Sequence, residues 1–286
     1  MNTKLKIAGT ALATFAITIT AVGLLNTERP NSGSSANNDS EIVTVGLVGT
    51  SDKELWDSVA KTAKDDYNIT IKTKTFTDYN QPNKAVAEGS IDLNAFQHND
   101  FLKNWNKSNG DQLVSIGDTS ISPLRLYSDS LKSIKDFKNG ETIVVPNDPT
   151  NEARALQLLA NAKLIEIKNT PMPTVKDITK NDKNLKIKAV AADQTATNFK
   201  SGNVSAAVIN SNYAVEASID VNSAIYVEPL TKASKPWINI IVAKKDKEND
   251  EKYAKVVKAF QTEKTKEFFK KHWGDSQIAA WDLDLK

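Results

Sequence analysis

Cysteine is absent from this 286-residue chain, and its absence removes disulfides, thiolate nucleophiles, iron–sulfur clusters and Cys-ligated zinc together. Histidine occurs only as His98 and His272, too few for a multi-histidine metal site. No excess of one charge is present either. The 37 Lys and Arg stand against 35 Asp and Glu, a formal +2, so the basic face that nucleic acid requires is not expected and nucleic acid is set aside as a partner. Also missing are a G-x-S-x-G elbow, an H-E-x-x-H helix, a phosphate loop and any repeat at solenoid periods. The one Ser–Lys pairing of penicillin-recognising type, Ser58-Val59-Ala60-Lys61, lacks its S-D-N and K-T-G companions and reads as helix surface. Asp and Glu are many, but none sits in a context that argues a raised pKa. The expectation is a protein that is not an enzyme and holds no cofactor.

A hydrophobic content of 40% with 25% charged residues is globular composition, and the length suits one large domain or two lobes. The start reads Lys4-Leu5-Lys6 followed by an uncharged apolar stretch from Ile7 to Leu25, the n-region and h-region of an export signal. As a helix the stretch would span roughly 28 Å, so it serves equally as a membrane anchor if it is not cleaved. Either way residues 1–25 place the rest outside the cytoplasm, at the cell surface or released, where a chain without cysteine is at home. Residues 26–40, rich in Asn, Ser, Gly and Thr, cannot bury enough surface to order themselves and read as a flexible linker.

From Glu41 onward, strands alternate with helices. Ile42 to Val48 is a β-rich run, with Ser51 and Asp52 offered as N-caps to a helix carrying Leu55, Trp56, Val59 and Ala63. Ile69 to Phe76 is a strand ending in the polar loop Asp78 to Asn83, then come a short helix over Lys84 to Glu88 closed by Gly89, a strand over Ile91 to Phe96, a helix over Asp100 to Trp105 and a strand over Leu113 to Gly117. Thr142 to Val145 is a buried-type strand stopped by Pro146, and Thr150 is a candidate cap for the next helix. Strands at Ile187 to Ala191, Ala206 to Ile209 and Trp237 to Ala243 follow, and Tyr253, Val256, Val257 and Phe260 mark a late amphipathic helix. This alternation predicts an α/β fold with mainly parallel sheets, whose ligands sit beyond the carboxyl ends of strands.

Two clusters fall at such ends. Asn94-Ala95-Phe96-Gln97-His98-Asn99-Asp100-Phe101 gathers aromatics, amides and a histidine, the mixture of a small-molecule pocket; the other reading is a satisfied histidine beside two core aromatics. Pro146-Asn147-Asp148-Pro149-Thr150-Asn151-Glu152-Ala153-Arg154 leads a strand into the first turn of a helix, where peptide N–H groups and a guanidinium fork suit a carboxylate. Alternatively Arg154 pairs with Glu152 or another helix acid. Asn210 and Asn212 follow a strand, and Asn239 lies within one despite its poor β propensity.

Phe76-Thr77-Asp78-Tyr79 with Pro82-Asn83, Asp92-Leu93-Asn94-Ala95-Phe96-Gln97-His98, Pro146-Asn147-Asp148-Pro149-Thr150-Asn151 with Arg154-Ala155-Leu156, Ala207-Val208-Ile209-Asn210-Ser211-Asn212-Tyr213-Ala214 and Asn239-Ile240-Ile241-Val242 occur in an order that resembles the methionine-binding substrate-binding proteins of ABC importers, the MetQ/NlpA lipoprotein family. The resemblance covers nearly all of the chain beyond the linker. It implies a two-lobed, periplasmic-binding-protein-like (type II) α/β fold with ligand in the inter-lobe cleft. Lobe 1 is expected over 41–122 plus 236–286 and lobe 2 over 123–235, with hinge strands at the crossovers. It implies a side-chain pocket of Tyr79, Phe96, His98 and Phe101, with Asn151, Arg154, Asn210 and Asn239 holding the ligand's carboxylate and amino groups. Methionine or a close relative (D-methionine, a Met-containing dipeptide) is the implied ligand, delivered to a membrane permease driven by a separate ATPase. Three features depart from the family pattern. No lipobox cysteine follows the signal, so residues 7–25 must themselves anchor the chain or be cleaved. Phe101 stands where Tyr is common, and Ala153 and Trp237 replace the usual Gly and Tyr. A different amino acid or small carboxylate in the same fold, or a surface interaction protein with a decayed site, are the alternatives.

Overall fold

A computed structural model describes residues 41–285; the export signal expected at 1–25 and the linker expected at 26–40 lie outside the described residues. Two five-stranded sheets organise the molecule. The first runs in the order Ile69–Phe76, Glu41–Val48, Leu93–His98, Asn239–Lys244, Leu113–Asp118. The second runs Lys186–Val190, Thr142–Pro146, Ala206–Ile209, Arg125–Tyr127, Ala224–Val227. The sheets are mixed rather than mainly parallel. In the first, three strands pair in parallel while Asn239–Lys244 runs antiparallel to both its neighbours; in the second, Arg125–Tyr127 is antiparallel to both of its neighbours. Both departures fall at the strands that carry the chain from one sheet to the other, which enter their new sheet from the opposite end.

Strand composition follows burial. Ala206–Ile209 is buried at every position, as expected of a central strand covered on both faces. The helix Lys53–Tyr67 buries Leu55, Trp56, Val59 and Ala63 on one stripe, and its Trp56 ring lies 5.3 Å from that of Phe260 on the helix Glu251–Phe260. Burying such a side chain stabilises the fold by about 1.5–3 kcal/mol. Leu156, Leu158 and Leu159 of the helix Pro149–Asn161 pack with Ile143, Val145, Ala206 and Val208 of the second sheet. Across the facing sides of the two sheets, one apolar cluster includes Val48, Phe76 and Ile240 from the first and Val144, Ile209 and Tyr213 from the second-sheet half.

Several boundaries differ from the sequence expectation for identifiable reasons. The short helix runs Gln81–Ala87, with Pro82 in its first turn, where a missing N–H costs nothing. The strand expected over Ile91 to Phe96 starts at Leu93 and is extended by Gln97 and His98. The helix after Pro146 begins at Pro149 with Asp148, not Thr150, as its cap: Asp148 accepts from the Asn151 N–H. Asp52 flanks the first helix without a side-chain capping bond, and the Ser51 hydroxyl is buried with no partner. Trp237 ends a 3₁₀ segment and the strand starts at Asn239, which therefore occupies a strand end. Ser58 and Lys61 do not pair; the Lys61 ammonium meets Asp65 at 2.6 Å on an exposed surface.

Candidate functional site

One cavity is lined by all eight residues singled out in the sequence, Tyr79, Phe96, His98, Phe101, Asn151, Arg154, Asn210 and Asn239. It lies where ends of both sheets meet. His98 and Asn239 are opposite each other in neighbouring strands of the first sheet, whereas Asn151 and Arg154 stand in the helix that follows a strand of the second.

Its apolar part is a ring cluster. The Tyr79 ring lies 5.7 Å from Phe96 and 6.0 Å from Phe101, and Phe96 meets Phe101 edge to face at 5.7 Å. Behind these rings a buried amide network fixes the backbone: Asn83 Nδ2 donates to Gln97 Oε1 at 2.8 Å, Asn94 Nδ2 donates to Asn83 Oδ1 at 2.9 Å and Gln97 Nε2 donates to Asn94 Oδ1 at 2.8 Å. These three side chains are at most 2% exposed, and satisfied amides at that depth tie the helix Gln81–Ala87 to the strand bearing Phe96.

Its polar part is built around His98 and Asn151. The Phe101 N–H donates to His98 Nδ1 at 3.1 Å, so the proton of the neutral ring sits on Nε2, facing Asn151 Oδ1 at 3.4 Å. Burial, then the Arg154 charge, push the His98 pKa down to about 3, so the imidazole is a neutral donor at physiological pH. Asn151 is the junction: its Nδ2 donates to both Asp148 oxygens at 3.0 Å, and its Oδ1 also accepts from Asn210 Nδ2 at 2.9 Å. The helix N-terminus expected to receive an external anion is thus capped by Asp148.

Arg154 pairs neither with Glu152, which accepts from the Val175 N–H, nor with another acid of its helix. Its partner is Glu228, 74 residues away: Nε donates to Oε1 at 2.9 Å and Nη2 to Oε2 at 2.5 Å. Nη2 also donates to the Ser122 carbonyl at 2.9 Å, and the guanidinium carbon lies 5.0 Å from the Trp237 ring centre. The hydrogen bonds of the guanidinium among the described residues run from Nε and Nη2, not from Nη1.

Sequence reasoning missed Glu228, Asp52, Gln277 and the amide network. Asp52 and Gln277 line the cavity; burial raises the Asp52 pKa to about 6 against the lowering effect of a hydrogen bond from Gln277, whose Nε2 also donates to Ser120 Oγ at 3.3 Å. Nothing in the local sequence of Glu228 marks it, since its importance arises from a contact across 74 positions. Asn210 Oδ1 and Asn212 Nδ2, both in the cavity wall, are buried without partners among the described residues. Besides the His98–Asn151 and Arg154–Ser122 contacts, further bonds join the two halves: Tyr79 Oη donates to Asn212 Oδ1 at 2.5 Å, Tyr213 Oη donates to the Thr77 carbonyl at 3.5 Å, and the Thr50 N–H donates to Glu216. The last needs Gly49, whose φ is +74° and where a Cβ would strike the Glu216 carboxylate. Among the described residues there is no cluster of His, Asp or Glu able to hold a metal ion, and no helix long and apolar enough to cross a membrane.

A mixed α/β protein of two lobes, with aromatic rings and a guanidinium converging on one crevice, has the two-lobed type II architecture of substrate-binding proteins. The chain belongs to the NlpA lipoprotein family, whose model matches residues 43–281. It is 34% identical over 246 residues to the D-methionine-binding lipoprotein MetQ of Escherichia coli K12, covering 85% of this chain and 90% of that protein. Among solved structures it resembles the substrate-binding protein of a methionine transporter from Streptococcus pneumoniae (42% identity, TM-score 0.79, 84% of this chain and 96% of that one). A nutrient-binding protein from Burkholderia cenocepacia bound to methionine is similarly close (40% identity, TM-score 0.79, 83% of this chain and 99% of that one).

Proposed function

We propose that this protein is an extracytoplasmic solute-binding protein that captures methionine and presents it to the permease of an ABC importer. It breaks no bond in its ligand; transport is powered by an ATPase on another chain. The observation that carries the reading is the convergence of Tyr79, Phe96 and Phe101 with the Nη1 edge of Arg154 on one cavity. A polarizable thioether sits well against aromatic edges, and a carboxylate taken from water needs a charged, hydrogen-bonding partner. The relatives named for methionine support the same ligand.

In this reading the ligand carboxylate meets Arg154 Nη1, Asn210 Oδ1 and Asn239 take the ammonium, and His98 and Asn151 hold the polar wall in place. The lobes are 41–122 with 236–286, and 123–235. The connections between Ile121 and Arg125 and between Val227 and Asn239 serve as the hinge, and ligand contacts from both sides stabilise the closed form. Replacement of Tyr by Phe101 leaves an apolar edge at the aromatic wall, which suits an apolar ligand side chain. Titration calorimetry with L-methionine tests the proposal: one saturable site per chain is expected, and a folded protein that gives no heat with L-methionine, D-methionine or a methionine dipeptide overturns it.

A further inference from the structure

The Asn212 amide is the one polar group at the aromatic end of the cavity whose hydrogen-bonding capacity is left half used. Tyr79 Oη donates its single proton to Asn212 Oδ1 at 2.5 Å, which fixes the amide orientation and turns Nδ2, a two-proton donor, away from the phenol. That Nδ2 is buried and has no partner, and Asn212 lines the cavity together with Tyr79, Phe96 and Phe101. It is separate from the polar network of the other end: Asn210 bonds to Asn151, and Asn151 to His98 and Asp148, whereas Asn212 bonds only to Tyr79.

We infer that Asn212 is a specificity-determining residue, its Nδ2 donating to an acceptor near the tip of the ligand side chain. A buried donor without a partner penalises any ligand that brings only methylene to it and favours one that brings an acceptor. The thioether sulfur of methionine is such an acceptor, although a weak one, and the methylene of norleucine, close to it in size, is not. Asn212 therefore separates a thioether side chain from a hydrocarbon side chain of nearly equal volume, a distinction that rings alone draw through polarizability only. The inference rests on the methionine reading above.

The test is a calorimetric comparison of L-methionine and L-norleucine on the full chain and on Asn212→Asp and Asn212→Ala. Aspartate is nearly isosteric and still accepts the Tyr79 hydroxyl proton, but an ionised carboxylate donates nothing; alanine removes the group entirely. The wild type is expected to prefer methionine, and the methionine-to-norleucine ratio should fall by about two- to fivefold in both variants, the size of one modest hydrogen bond. The ratio is taken on protein that binds, so a loss of folded fraction does not mimic it, and Asn212→Asp gives the answer should Asn212→Ala fail to fold. A wild type that binds methionine, with the ratio unchanged in the variants, overturns this inference alone. A wild type that binds neither amino acid overturns the methionine reading and the inference with it.

Discussion

Replacing Glu228 tests whether the guanidinium of Arg154 is held as the geometry says. The two side chains are 5% and 10% exposed, joined by two parallel hydrogen bonds of 2.9 and 2.5 Å, and Glu228 Oε2 also accepts from the Leu124 N–H at 2.9 Å. Glu228→Ala leaves a buried cation with only the Ser122 carbonyl as hydrogen-bond partner and an unpaired peptide N–H, so a loss of about 3–5 kcal/mol is expected. Arg154→Met leaves the Glu228 carboxylate with the Leu124 N–H and the Arg125 charge, so a smaller loss of about 1–3 kcal/mol is expected. The double replacement Arg154→Met with Glu228→Leu should cost less than the sum of the single changes, because the second change removes the partner that the first leaves unpaired; the buried Arg125, which also feels the Glu228 charge, keeps its bond to the Pro123 carbonyl. Urea unfolding followed by the fluorescence of the five tryptophans measures all three. Single losses below about 1 kcal/mol, or losses that simply add, would refute the view of a buried, mutually dependent pair.

Two further expectations concern protons. Because the folded-state pKa of His98 is lowered from 6.5 to about 3, the unfolded chain takes up a proton at His98 that the folded chain refuses. This histidine therefore makes stability fall as pH drops below 6.5, by up to about 1.4 kcal/mol per unit, down to the folded value. Of the two imidazole signals in an NMR titration, that of His98 should stay neutral from pH 8 to 4.5, and a midpoint near 6.5 would show that the ring is not held as described. Asp52 works in the opposite sense. Its folded pKa is raised from 3.8 to about 6, so the folded state holds the proton more tightly and the buried anion is a burden above pH 6. Asp52→Asn should raise the thermal midpoint at pH 7.5 and leave it nearly unchanged at pH 3.5; equal shifts at both would contradict the cause assigned.

The elements that position the site were legible in the sequence where the signal was local. The Ile42 to Val48 strand, the Leu55, Trp56, Val59, Ala63 stripe and the Ala206 to Ile209 strand are all present, because short-range periodicity reports which face is buried. Their assembly was less so: mixed sheet direction arises where the chain changes sheets, which periodicity does not record. The first turn of the helix Gln81–Ala87 falls in the stretch expected as loop, because Pro82 and Asn83 are turn residues by propensity, yet here proline occupies a first turn and Asn83 joins a buried amide network. At the site, residue types at strand ends identified the aromatic and guanidinium poles. Glu228, Gln277 and the Tyr79–Asn212 bond were invisible, since each becomes meaningful only through a partner far along the chain. His98 illustrates the middle case: the sequence marks an unusual residue, but only the Phe101 N–H on Nδ1 decides its tautomer.

A crystal structure of the protein grown with L-methionine shows whether the aromatic rings and the guanidinium grip one and the same molecule. The ligand carboxylate is expected on Arg154 Nη1 and the thioether among Tyr79, Phe96 and Phe101, with Glu228 still bound to the other edge of the guanidinium. Methionine found elsewhere on the molecule, or seated in this cavity with its carboxylate turned away from Arg154, contradicts this placement.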